Sequence, residues 1–376
     1  AGFMVSSVSG SVSESGSTAT FTLKLTSQPS STVSIPVSSS DPGEATVSAD
    51  TDNSSGSYVV FTTSNWNADH VVTVTGVDDN DSDGTQSYVI RLDADNNTSD
   101  TVGYRSLDPQ DVAMSTTDDE SAGFMVSSVS GSVSESGSTA TFTLKLTSQP
   151  SSTVSIPVSS SDPGEATVSA DTDNSSGSYV VFTTSNWNAD HVVTVTGVDD
   201  NDSDGTQSYV IRLDADNNTS DTVGYRSLDP QDVAMSTTDD ESAGFMVSSV
   251  SGSVSESGST ATFTLKLTSQ PSSTVSIPVS SSDPGEATVS ADTDNSSGSY
   301  VVFTTSNWNA DHVVTVTGVD DNDSDGTQSY VIRLDADNNT SDTVGYRSLD
   351  PQDVAMSTTD DESAGFMVSS GERLGE

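Results

Sequence analysis

Hydrophobic residues in this chain alternate with polar ones in short runs, and no stretch carries the three-to-four-residue spacing of an amphipathic helix. Between Thr18 and Thr26, Phe21, Leu23 and Leu25 point to one face while Thr20, Thr22 and Lys24 point to the other, as in a strand with one buried side. The same two-residue period marks Phe3 and Val5, then Val33, Ile35 and Val37, a weaker piece at 45–47, and runs at 58–61, 71–77, 87–92 and 112–116. About eight short strands are predicted, separated by Gly, Asn, Asp and Ser turns. The Ser- and Gly-rich stretch 9–16 reads as a connection. Pro36 predicts an edge strand or a bulge, because it has no N–H to give to a ladder. Trp66 is expected to close one end of the core, and His70 to act as a strand-edge hydrogen-bonding residue, since no Ser or Cys nucleophile constellation stands beside it.

This pattern is written three times without a substitution, from Ala1, Ala122 and Ala243, and begins again at Ala364. One copy is long enough to bury its own core, so the expected domains are 1–121, 122–242 and 243–363. Residues 364–376 then hold the truncated start of a fourth repeat and, from 371, a tail that fits no repeat position. The predicted fold is all-β: three tandem immunoglobulin-like antiparallel β-sandwich domains in an elongated rod. Strands of this length imply roughly 40 Å per repeat and on the order of 120 Å for three. Identical tandem copies add length rather than catalytic power, which points to a spacer, stalk or fibre and away from an enzyme. The absence of a starting Met and the partial fourth copy suggest a piece excised from an exported protein.

Charge sharpens the picture. Each repeat carries eighteen Asp and Glu against Lys24, Arg91 and Arg105 or their counterparts, and the chain has a formal net charge of −46. Such a charge repels nucleic acid and anionic membrane, and no apolar run is long enough to insert in a bilayer. It also opposes compaction wherever carboxylates crowd, which calls for a counter-cation. Two clusters stand at strand ends. In the first, Asp78 and Asp79 are followed by Asp81, Asp83 and Gly84, like the opening of a calcium loop. The twelfth position from Asp79 is Ile90 rather than Glu, so this is not an EF-hand. The second cluster, Asp118, Asp119 and Glu120, immediately precedes the next copy. Glu14 and Asp41 are further candidates for the same end. The counterparts are Glu135, Asp162, Asp199, Asp200, Asp202, Asp204, Asp239, Asp240 and Glu241, then Glu256, Asp283, Asp320, Asp321, Asp323, Asp325, Asp360, Asp361 and Glu362. Oxygen ligands, no Cys and one His per repeat exclude zinc or copper and point to a hard cation, Ca2+.

Three segments together resemble a Calx-beta domain: Val71-Val72-Thr73-Val74-Thr75-Gly76-Val77-Asp78-Asp79, then Tyr88-Val89-Ile90-Arg91-Leu92, then Asp118-Asp119-Glu120-Ser121-Ala122-Gly123-Phe124. Val12-Ser13-Glu14-Ser15-Gly16 matches the family's early Glu-x-Gly stretch. The resemblance implies calcium held at one tip of a sandwich, with Glu14, Asp78, Asp79, Asp118 and Asp119 as ligands. The family's second acidic stretch usually continues with several Glu, where this chain has Asp81, Asp83 and Gly84. The Ser, Thr and Asn richness and perfect duplication are also similar to tandem extender regions of very large bacterial surface adhesins. That similarity implies a secreted, extracellular or cell-surface location, and calcium at the junctions that stiffens a rod.

The leading expectation is therefore a non-enzymatic calcium-binding stalk, whose partners are calcium and the neighbouring repeats of the same chain. A second is a self-assembling fibre or matrix, in which 364–370 of one molecule adds a strand to another copy. A third is a glycan-binding module using the Trp66 end or the outward Thr73 and Thr75.

Overall fold

The computed structural model describes residues 1–6, 11–52, 56–94, 103–129, 131–173, 177–215, 224–250, 252–294, 298–336 and 345–368. The tail from 371 and the last two residues of the predicted donor segment lie outside them. In the first repeat the alternating runs form β1 (Phe3–Val5), β2 (Ser11–Ser13), β3 (Thr18–Leu25), β4 (Val33–Ser39), β5 (Ala45–Ala49), β6 (Tyr58–Phe61), β7 (His70–Gly76), β8 (Gln86–Leu92) and β9 (Val112–Thr117). The second and third repeats reproduce the order, from Phe124–Val126 to Val233–Thr238 and from Phe245–Val247 to Val354–Thr359.

One sheet has the order β1-β3-β7-β5 and the other β2-β9-β8-β4-β6. Phe21, Leu23, Leu25, Val72 and Val74 of the first face Ile35, Phe61, Ile90 and Leu92 of the second, all buried. Trp66 packs half-buried against this core, and its carbonyl accepts the Leu25 N–H at 3.1 Å. The outward Thr73 and Thr75 lie opposite Thr20 and Thr18 on one side and Ser48 and Thr46 on the other. Such hydroxyl pairs across strands account for their orientation.

Two expectations need correction. The stretch 9–16 is not wholly a connection, because Ser11–Ser13 is a strand, and it pairs in parallel with β9, Val12 opposite Thr116 and Ser13 opposite Thr117. Gly76 makes room for it: a Cβ there would overlap the Ser13 carbonyl oxygen. Pro36 lies neither on an edge strand nor in a bulge. β4 pairs with β6 over Val33 to Pro36 and then with β8 from Val37, so Pro36 sits where the partner changes. Its carbonyl accepts the Asp93 N–H at 3.3 Å on the β8 side, while Val37 N–H serves the β6 side at 2.9 Å. The missing donor therefore falls outside the β6 ladder.

His70 heads β7. Its Nδ1 lies 3.0 Å from Asp50 Oδ1, and its ring stands edge-on to Phe61 at 4.9 Å. This places it as a bonded residue at a strand end.

Candidate metal centre

Four connections meet at the end of the sandwich where β9 stops: residues 14–17, 40–44, 77–85 and 118–123. The parallel ladder carries β2 to that end, where the Glu14 N–H donates to the Thr117 carbonyl at 3.1 Å and the side chain turns toward the second acidic cluster. Glu14, Asp118 and Glu120 present carboxylate oxygens within 4.8 Å of one another, and so do Asp78, Asp119 and Glu120. The second repeat forms both groups again, from Glu135, Asp239 and Glu241 and from Asp199, Asp240 and Glu241. A further group there joins Glu135, Glu165 and Asp200 within the same limit.

Backbone donors fix several of these carboxylates. Asp79 Oδ1 accepts the Asp81 N–H, Asp118 Oδ2 accepts the Gly84 N–H and Asp118 Oδ1 accepts the Glu120 N–H, each at 2.7 Å. Gly84 meets Asp118 at φ 75°, a left-handed conformation that disfavours a side chain. Asp200 with Asp239 and Asp321 with Asp360 accept the matching bonds in the later repeats, at 2.6 to 2.7 Å. Asp41, Asp162 and Asp283 instead use Oδ1 to accept the N–H two residues on, at 3.1 to 3.2 Å, and remain exposed at the rim.

Glu14 is 1% exposed, and neither of its oxygens accepts a hydrogen bond from a donor. Burial, the facing Glu120 carboxyl and the charges of Asp79 and Asp118 push it up to about 8, and Glu135 is likewise pushed to about 8. Burial also raises Glu120 and Glu241. In the third repeat it is Glu362, facing Glu256, that is pushed up to about 7. Two facing carboxyls repel when both are ionised, which is the physical sense of the raised values.

Sequence reasoning missed Glu44. It is 8% exposed and pushed up to about 7 by burial, then by Asp83, Asp79, Asp41 and Asp118. Glu165 behaves identically, reaching about 7, and Glu286 is also raised. The available signal was its position, immediately before β5 in the same turn as Asp41.

The loop that supplies Asp78 and Asp79 also touches the following repeat. Gln149 N–H donates to the Asn80 carbonyl at 2.6 Å, and Ser82 N–H reaches the Gln149 carbonyl at 3.4 Å, which makes a parallel bridge between Asp81 and Gln149. Gln270 repeats this with Asn201 and Ser203, at 2.6 and 3.5 Å, so that Asp202 is bridged to it.

The sequence pattern of the Calx-beta domain matches residues 2–121, 118–242 and 238–363. The chain belongs to the Calx-beta domain family. Calx-beta repeats are structural, binding-type modules. No curated protein matches the chain. Among solved structures, S-layer protein SbsC domains 5–6 is 16% identical over 64% of this chain and 98% of its own, with a TM-score of 0.19. CBD12 from CALX1.2 is 12% identical over 57% and 81%, with a TM-score of 0.21, and the I9–I11 tandem from titin is 10% identical over 95% and 99%, with a TM-score of 0.19. Among the described residues, no helix is long and apolar enough to cross a membrane.

Proposed function

We propose that each Calx-beta repeat binds calcium at its acidic tip and that the ions stiffen the junction to the next repeat, making the chain a non-enzymatic extracellular stalk of a bacterial surface adhesin. One observation carries this reading: the loop 199–205 gives Asp199 and Asp200 to the acidic groups and its backbone to Gln270 of the following repeat. The residues suit the ion. Glu14 offers two buried oxygens that no donor satisfies, and the donor set is made of hard carboxylates. Glu14, Asp78, Asp79, Asp118, Asp119 and Glu120 would hold calcium, and Asp41, Asp81 and Asp83 would complete its coordination. Calcium supplies positive charge where folding brings like charges together, so it binds the folded tip in preference to the open chain. Extracellular modules of this kind bind at ~10⁻⁴ to 10⁻³ M, which keeps the stalk stiff outside a cell. Small-angle scattering of the full chain with calcium and with a chelator tests this. A longer, narrower distribution of dimensions in calcium is expected, and identical curves in the two conditions refute the stalk.

A second reading, self-assembly, is favoured by the exposed apolar run at 366–368. Phe366, Met367 and Val368 are fully exposed, whereas the same residues at 124–126 pair with Leu146, Lys145 and Leu144. One molecule's 366–368 would take the place of β1 on another, bringing Met367 opposite Lys24 as Met4 is now. Mixing Lys24→Cys and Met367→Cys proteins, in a chain otherwise free of Cys, should give a mixed disulfide dimer on oxidation. Only random pairing would discard the reading.

A further inference from the structure

Glu44, Glu165 and Glu286 lie outside the acidic clusters read from the sequence, yet each is at least nine-tenths buried and leaves its Oε2 without a partner. The backbone holds them in place. The Glu44 carbonyl accepts the Val77 N–H and the Thr116 hydroxyl, both at 3.0 Å, which fastens the residue between the end of β7 and β9. Ala45, the next residue, is completely buried, so the side chain has no easy swing to solvent. In the second repeat the Glu165 carboxylate lies with those of Glu135 and Asp200, all within 4.8 Å, and Glu135 also leaves both oxygens unpartnered. The described ion pairs of the first repeat, Lys24 with Asp69 and His70 with Asp50, are at other positions and bring no cation to this group. Two buried carboxylates and a third beside them demand either protons or a positive ion at their centre.

We infer that Glu44, Glu165 and Glu286 each form, with Glu14 and Asp79 or their counterparts, an inner subsite for a divalent cation, lying beneath the two outer groups of the tip. The inference rests on the calcium reading above and adds to it a position and a ligand set. The three groups form a series. In the second repeat Asp199, Asp240 and Glu241 are the outermost, Glu135, Asp239 and Glu241 come next, and Glu135, Glu165 and Asp200 are the deepest. Glu241 is common to the first two, and Glu135 to the last two. Oxygen-only donors and a carboxylate count of three suit calcium better than a transition metal. Thr116 and the Tyr88 hydroxyl, 3.3 Å apart, form a polar floor between Glu44 and the apolar core.

The test is calcium stoichiometry of the full chain, measured by equilibrium dialysis with calcium alone. The triple variant Glu44→Gln, Glu165→Gln, Glu286→Gln should lose about one ion per repeat and keep the rest. A matched outer variant, Asp119→Asn, Asp240→Asn, Asp361→Asn, should lose ions while keeping the inner one. Gln removes a buried charge, so in chelator the inner variant should melt no lower than the parent chain, and a smaller calcium-induced gain in melting temperature should accompany its lost ions. Unchanged stoichiometry in the inner variant would overturn the inference and leave these glutamates as protonated core carboxyls, with the outer sites intact. A parent chain that binds no calcium would remove the calcium reading itself, and the inner subsite with it.

Discussion

The tips of the first two repeats and the tip of the third have the same sequence but different surroundings. Residues 81–83 and 202–204 are half-buried, because Gln149 and Gln270 of the following repeat bond to their loops. Residues 323–325, with no following repeat among the described residues, are exposed. The receiving end differs in the same sense: Gln28 is exposed where Gln149 and Gln270 are half-buried, and Ser148 and Ser269 are buried where Ser27 is not. Burial raises Asp204 above the usual carboxylate range. Identical chemistry thus becomes a more desolvated and more constrained site when a neighbour covers it. A chain of identical repeats contains its own control for what a junction contributes.

The largest expected effect is that of calcium itself. At tenfold excess over its dissociation constant, each ion adds about 1.4 kcal/mol, and a domain of this size gains several degrees in melting temperature for each such increment. Calorimetry in calcium and in chelator should show this gain; equal melting in the two would break the comparison at its root. Next in size is the effect of a methyl group at the close approach beneath β2. Gly197→Ala and Gly318→Ala each force β2 away from β7 and should cost about 1–3 kcal/mol of stability. Only Gly197→Ala disturbs a tip with a following repeat, so only it should broaden the scattering-derived dimensions in calcium.

The pH dependence comes third. Glu14 and Glu135 at about 8, and Glu44 and Glu165 at about 7, lie above their ordinary value in the folded chain. The folded state therefore holds more protons than the unfolded one between pH ~4.5 and ~8, and metal-free stability should fall as pH rises through that window. Calcium should cancel the fall, since it binds the ionised form. Thermal melts in chelator that stay level from pH 5 to 8 would contradict the raised values. The smallest effect is one of access. Among Ser82→Cys, Ser203→Cys and Ser324→Cys, the last should react fastest with a maleimide, and equal rates would erase the distinction between covered and open tips.

The strands were legible because each buries one face, and so writes Phe21, Leu23 and Leu25, or Val72 and Val74, at a two-residue period. Asp78, Asp79, Asp118 and Asp119 were legible because they follow strand ends. β2 was not, since Val12 is its one apolar residue and its partner β9 is more than a hundred residues away, where local pattern has no reach. Glu44 escaped for a similar reason. An acid in a Pro-Gly turn is ordinarily solvated, and this one is buried only because the ends of β7 and β9 close over it. Pro36 misled because a strand that exchanges one partner for another halfway offers a place for a missing N–H that no edge need supply.

The direction of the chain through each sandwich has a mechanical consequence. β1 begins at the Trp66 end and β9 finishes at the acidic tip, so the polypeptide enters and leaves at opposite poles. A pull along its length slides β1 against β3, and β9 against β2 and β8, loading their rungs simultaneously instead of peeling them one after another.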